Sequence, residues 1–176
     1  MHADIPATSL LVGRDRELGV LRQHRDAALA GQGSLVLIGG EAGIGKTTLA
    51  ETICYQAAEH GALILVGRCF DRTETPAYGP WLYLFERYQP AHPLPAHPAA
   101  FAEPGVVGAV PSQAALFRQV WDFLSTVTAS RPAILLLDDL QWADPASLDL
   151  VRHIAQSVAT LPLLILVTYR SDELAR

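Results

Sequence analysis

The chain has 176 residues, half of them hydrophobic, and its 18 acidic side chains against 13 basic ones give a formal net charge of −5. That length suits one domain with a real core and excludes a wholly disordered chain. The acidic balance supplies no basic field of the kind nucleic acid requires, so direct DNA binding by this chain is not expected.

Cys54 and Cys69 stand in neither a metal-type nor a redox-type spacing and read as reduced thiols. The start, Met1-His2-Ala3-Asp4-Ile5-Pro6, has no basic region followed by an apolar run. No apolar stretch reaches the roughly eighteen residues of a membrane span, so a soluble cytoplasmic chain without a membrane partner is expected.

Residues 1–33 form an N-terminal box and helix. The box is Leu11-Val12-Gly13-Arg14-Asp15-Arg16-Glu17-Leu18, and Leu18, Leu21 and Leu29 share one side of a helix that stops at Gly31 or Gly33. Arg14, taken alone, is a solvated charge near a helix start. Residues 35–38, Leu-Val-Leu-Ile, then read as a buried strand covered on both faces.

Gly40-Glu41-Ala42-Gly43-Ile44-Gly45-Lys46-Thr47 follows, with Thr48 opening a helix-compatible stretch. A glycine, four residues and then Gly-Lys-Thr between a buried strand and a helix is the context of a phosphate-binding loop. The glycines permit positive φ, so successive N–H groups can cup an anion at a helix start. Lys46 would reach the β- and γ-phosphates, and the Thr47 hydroxyl would be a ligand of Mg²⁺.

The helix runs from about Lys46 to about His60, closed by Gly61, and residues 63–66 are a second strand ended by Gly67. This strand-helix-strand unit predicts a parallel sheet. Arg68 to Arg72 and Thr75 to Pro80 form a loop directed by Pro76 and Pro80. Trp81, Leu82, Leu84, Phe85 and Tyr88 suggest a short amphipathic helix whose aromatics belong to the core.

Residues 89–111 carry six prolines and repeated alanine without periodicity and predict a Pro-rich flexible surface loop, with His92 and His97 exposed. Ser112 caps a helix on which Leu116, Val120, Trp121, Phe123, Leu124 and Val127 recur at helical spacing. Residues 133–137 are a third buried strand ending in Asp138-Asp139. Two adjacent carboxylates at a strand end are costly without a cation opposite, and a hydrated Mg²⁺ would supply one.

Asp144 and Pro145 start a helix with the stripe Leu148, Val151, Ile154 and Val158. Residues 163–167 are a fourth strand leading to Thr168-Tyr169-Arg170. In an open parallel sheet, ligands bind beyond the carboxyl ends of the strands. There Asp138 would serve the metal directly or through water, Asp139 would act as base or water-orienting group, and Arg170 would neutralise charge developing in phosphoryl transfer. For Asp139 the alternative is a second solvated carboxylate, and for Arg170 a surface salt bridge. The absence of an Asn-Lys-x-Asp motif favours ATP over GTP.

Together, the phosphate loop, Leu135-Leu136-Leu137-Asp138-Asp139-Leu140-Gln141-Trp142-Ala143-Asp144 and Val167-Thr168-Tyr169-Arg170 resemble the signal-transduction ATPases with numerous domains (STAND), in particular the ATPase module of large LuxR-type transcription regulators. The N-terminal box, Gly67-Arg68-Cys69 and Tyr78-Gly79-Pro80-Trp81 also resemble that family. The resemblance covers nearly the whole chain except residues 89–111. It implies an α/β P-loop NTPase, a three-layer sandwich with an AAA-like parallel sheet, in which Lys46 and Thr47 serve the phosphates and Mg²⁺, Asp138 the metal, Asp139 catalysis and Arg170 the γ-phosphate. It also implies Gly13 and Arg14 near adenine and ribose, and ATP/ADP exchange as a switch.

Against the family pattern the chain, residues 1–176, stops before the last strand, the lid, the winged helix, the sensor repeats and the DNA-binding effector domain. It is therefore expected to be a truncated nucleotide core whose sensor and effector partners lie elsewhere, with nucleotide-dependent self-association through an open sheet edge as one consequence. Two other readings compete. A small-molecule kinase would need basic lid residues, and residues 89–111 contain no lysine or arginine. A non-hydrolysing nucleotide-binding interaction domain would keep the loop and lose turnover.

Overall fold

The computed structural model describes residues 13–71, 76–90, 92 and 94–171. The first two residues of the N-terminal box, Leu11 and Val12, lie outside the described residues, as do Arg72 and Thr75 of the loop after the second strand and positions 91 and 93 of the Pro-rich segment.

The described residues form helices α1 (Asp15–Leu29), α2 (Lys46–Glu59), α3 (Gly79–Arg87), α4 (Gln113–Ser130) and α5 (Pro145–Ala155) and strands β1 (Ser34–Gly40), β2 (Leu63–Arg68), β3 (Ala133–Asp138) and β4 (Leu163–Arg170). The strands make a parallel sheet in the order β1-β4-β3-β2. Side chains alternate between its two faces as strand geometry requires. Leu135, Leu137, Ile165 and Val167 join a core under α3, α4 and α5, while Ile134, Leu136, Leu164 and Leu166 join one under α1 and α2. The result is a three-layer α/β sandwich of the P-loop NTPase type.

The sheet is parallel, as the strand-helix-strand unit predicts, and β4 and β3 lie between the sequential strands β1 and β2. The strand order corrects one expectation. Strand β1 is not covered on both faces, since it lies at one end of the order and Leu37 is 59% exposed. The reason is energetic. Every residue of β3 and the first six of β4 are buried, and each fully buried aliphatic side chain gains roughly 1.5–3 kcal/mol over exposure. Central positions therefore go to β3 and β4, and the less apolar β1 and β2 take the ends.

The helices follow their local signals. Ser112 Oγ accepts from the Ala115 N–H at 3.2 Å, capping α4. Asp144 caps α5, accepting from the Ser147 N–H at 2.9 Å, with Pro145 at the first position. The α5 stripe differs from expectation at two positions: Leu150 is buried with Val151 and Ile154 while Leu148 is only half-buried, and Val158, though buried, belongs to a separate 3₁₀ turn because α5 ends at Ala155.

The Pro-rich segment also differs from expectation. Ala99–Phe101 is a 3₁₀ turn with Phe101 buried and stacked on Phe85 at 4.6 Å between ring centroids. His97, expected at the surface, is half-buried, and its Nε2 sits 3.1 Å from the Phe85 carbonyl and 3.0 Å from that of Tyr88. Phe85 lies in the last turn of α3 and Tyr88 is its C-cap, where carbonyls lack partners within the helix. His92 is exposed.

Candidate nucleotide-binding site

All four strands end on the same side, because the sheet is parallel. The register sets Gly40 of β1 beside Arg170 of β4, and Arg68 of β2 beside Asp138 of β3. Four chemistry-bearing strand ends therefore share one edge of the sheet.

The loop from Gly40 to Gly45 turns through glycines with φ of 157°, 76° and 92° at Gly40, Gly43 and Gly45. Gly45 caps the N-terminus of α2 in the left-handed region, which a side chain would make costly. Glu41, Ala42 and Ile44 are exposed, and Thr48 lies half-buried on the first turn of α2. Lys46 is buried, and its Nζ donates to the Gly40 carbonyl at 3.0 Å and the Glu41 carbonyl at 2.8 Å, so its ammonium is folded over the loop. Arg14 reaches the same loop. Its guanidinium donates to the Ile44 carbonyl at 2.9 Å and to Glu17 at 3.0 Å, which ties Arg14 to the phosphate loop, and Gly13 before it takes φ 79°.

Across the sheet edge, Asp138 is 6% exposed and accepts on one oxygen from the Thr47 hydroxyl at 2.9 Å and the Thr168 hydroxyl at 2.7 Å. Thr168 in turn accepts from the Asp139 N–H at 2.8 Å. A buried hydroxyl in an otherwise aliphatic strand needs partners, and Thr168 finds them on the two carboxylate-bearing residues at once. Asp139 then takes φ 58°, a left-handed conformation that Asp tolerates, and turns the chain out of β3 into a 3₁₀ turn, Leu140–Trp142. Gln141 on that turn donates from Nε2 to Asp139 Oδ1 at 3.0 Å and accepts from the Arg170 N–H at 3.1 Å. The structure thus brings Thr47, Asp138, Asp139 and the Arg170 backbone into one hydrogen-bonded set.

Negative charge is concentrated here. Burial pushes the Glu51 carboxyl above its ordinary range, the Arg68 guanidinium at 2.8 Å pulls it back, and Asp138 adds to the rise. Burial also drives the Cys54 and Cys69 thiols up to about 12, with Glu51 and Asp138 adding at Cys54 and Asp144, Asp139 and Asp138 adding at Cys69. Both are therefore buried thiols of low reactivity.

The donors fit Mg²⁺. Hard oxygens from one carboxylate and one hydroxyl, 2.9 Å apart, match neighbouring corners of an octahedron with bonds of about 2.0–2.1 Å. Among the described residues no group of three or more His, Cys, Asp or Glu gathers into a metal site. The remaining ligands would therefore be water and phosphate oxygens, the usual arrangement for Mg²⁺ on a nucleotide.

The description AAA ATPase domain matches residues 10–167. The chain belongs to the AAA ATPase domain family. Membership implies nucleotide binding, usually with Mg²⁺, and ATPase activity. An uncharacterized protein of Rhizobium meliloti (strain 1021) is 29% identical over 189 residues; the match covers 91% of this chain and 18% of that relative. Among solved structures, Caenorhabditis elegans PCH-2 aligns with a TM-score of 0.44 at 13% identity, over 88% of this chain and 35% of its own. Drosophila ORC, in a structure bound to DNA, aligns with a TM-score of 0.44 at 11% identity, over 90% and 85%.

Three contributors to this candidate site lie outside the site residues singled out from the sequence. Thr168 carried a legible signal, a hydroxyl directly after the aliphatic run from Leu163 to Val167. Gln141 and the Glu51–Arg68 pair carried none, since each depends on a partner brought close only by folding. Among the described residues no helix is long and apolar enough to cross a membrane.

Proposed function

We infer that the chain is the Mg-ATP-binding, slowly hydrolysing switch module of a LuxR-type, STAND-class transcription regulator, working in the cytoplasm. The observation that carries the nucleotide chemistry is the 2.9 Å contact between Thr47 and Asp138, which joins the phosphate loop to the acidic strand end. In this reading residues 40–48 cup the phosphates, Lys46 turns from the loop carbonyls to the β- and γ-phosphates, and Gly13 and Arg14 flank adenine and ribose. Thr47 and Asp138 would hold Mg²⁺, which when bound would supply positive charge against that of the phosphates.

Asp139 orients a water and takes its proton as the water oxygen attacks the γ-phosphorus. The bond from that phosphorus to the β–γ bridging oxygen breaks, and ADP and phosphate leave. Arg170 offsets charge on the transferring group. The regulatory part of the reading draws support from the residue resemblance at 135–144 and 167–170. Sensor and effector domains are partners outside this chain, and the exposed end strand β1 is the surface for nucleotide-dependent self-association.

Calorimetric titration with ATP and with GTP in Mg²⁺, beside Lys46→Ala and a phosphate-release assay of Asp139→Asn, tests the reading. The expected result is binding of ATP and not GTP, loss of binding in Lys46→Ala, and in Asp139→Asn intact binding with release reduced by about 10²–10⁴-fold. A folded chain that binds neither nucleotide overturns it.

A further inference from the structure

We propose that Gln141 is a positioning residue for hydrolysis, setting the orientation of the Asp139 carboxylate and coupling it to the end of β4. The proposal rests on the reading of Asp139 as the group that acts on water.

The amide has one possible orientation in this contact. A backbone N–H can only donate, so the Arg170 N–H must meet the Gln141 oxygen, at 3.1 Å. The Gln141 Nε2 is thereby turned to Asp139 Oδ1, where it donates at 3.0 Å. Asp139 is then held at two points, through its N–H by the Thr168 hydroxyl at 2.8 Å and through its carboxylate by Gln141. A carboxylate gripped on one oxygen keeps a defined plane, which is what a group orienting water needs.

Both grips originate on β4, at Thr168 and Arg170. The next residue, Ser171, donates its N–H to the Gly40 carbonyl at 3.4 Å, and Lys46 donates to that same carbonyl at 3.0 Å. A continuous bonded path thus runs from the phosphate-loop lysine through the end of β4 and Gln141 to the acid. Movement of the β4 end when a γ-phosphate arrives would reach Asp139 through this amide.

Two variants separate positioning from plain stapling of the turn to β4. Gln141→Leu keeps the approximate bulk and loses both bonds. Gln141→Glu keeps an acceptor for the Arg170 N–H and replaces the donor facing Asp139 with a second carboxylate. The expected result is a fall in kcat of about tenfold or more in both, with KM within about twofold, although Gln141→Glu retains the staple. In an Asp139→Asn background, Gln141→Leu should lower the residual rate no further, because its effect passes through the missing carboxylate. Thermal unfolding of each variant identifies any rate loss that comes from a destabilised fold.

Gln141→Glu with wild-type kcat, or an undiminished effect of Gln141→Leu in the Asp139→Asn background, overturns the role of Gln141 and leaves the ATPase reading standing. A folded wild-type chain that releases phosphate no faster than Asp139→Asn overturns the reading of Asp139 itself, and this proposal with it.

Discussion

Two segments without sequence periodicity, the phosphate loop at 40–45 and the Pro-rich stretch at 89–111, owe their order to opposite causes. The loop is shaped by its own backbone: three glycines with positive φ, a helix start, and a lysine that bonds the loop's own carbonyls. Other segments add two bonds to its carbonyls, from Arg14 to Ile44 and from the Ser171 N–H to Gly40. The Pro-rich stretch has local turns of its own, the 3₁₀ turn at Ala99–Phe101 among them, but its described part is fixed to the domain by groups from other elements, Phe101 against Phe85 and His97 against the end of α3. A loop built for a ligand is specified locally and stays largely exposed. A loop that covers a core is specified by what it covers.

Substitutions should separate the two regimes. The largest effect on stability falls in the Pro-rich stretch. Phe101→Ala removes a ring packed against Phe85 and Tyr78 and should cost about 3–5 kcal/mol in chemical denaturation, while ATP affinity of the folded fraction stays at wild type. A smaller loss is expected from His97→Ala, which leaves the Phe85 and Tyr88 carbonyls without that donor and should cost about 1–3 kcal/mol, again sparing the nucleotide site.

Smallest in stability and sharpest in function is Gly43→Ala. A methyl there meets nothing within 4 Å, so the penalty is conformational, arising from φ 76°. It should cost about 1–2 kcal/mol while ATP affinity falls by about tenfold, read by calorimetry beside a melting curve. If Gly43→Ala destabilised more than Phe101→Ala, or if Phe101→Ala abolished ATP binding, the division between the segments would fail.

Much of the site could be read along the chain because it depends on short-range chemistry. The phosphate loop, the Asp138-Asp139 pair at a strand end and the caps Ser112 and Asp144 each involve residues a few positions apart. The positions of Lys46, Thr47, Asp138 and Asp139 on one sheet edge then followed from parallel strands alone. What escaped was the connective tissue of the site. Thr168 lies 30 residues from Asp138, and Arg68 lies 17 from Glu51. Such pairs leave no periodic trace, because nothing in a local window reveals which strand lies beside which.

By itself the sequence determined the element types, the buried strands β3 and β4 and the chemistry of the phosphate loop, since hydrophobic runs, glycine freedom and helix caps act within a few residues. Only the tertiary structure decided the order β1-β4-β3-β2, the exposure of Leu37 on the end strand β1, the burial of Phe101 and the clasp of Gln141 on Asp139. Those outcomes come from competition among all apolar surfaces for the same interior and from polar groups meeting partners far along the chain. That competition is settled only when the whole core has closed.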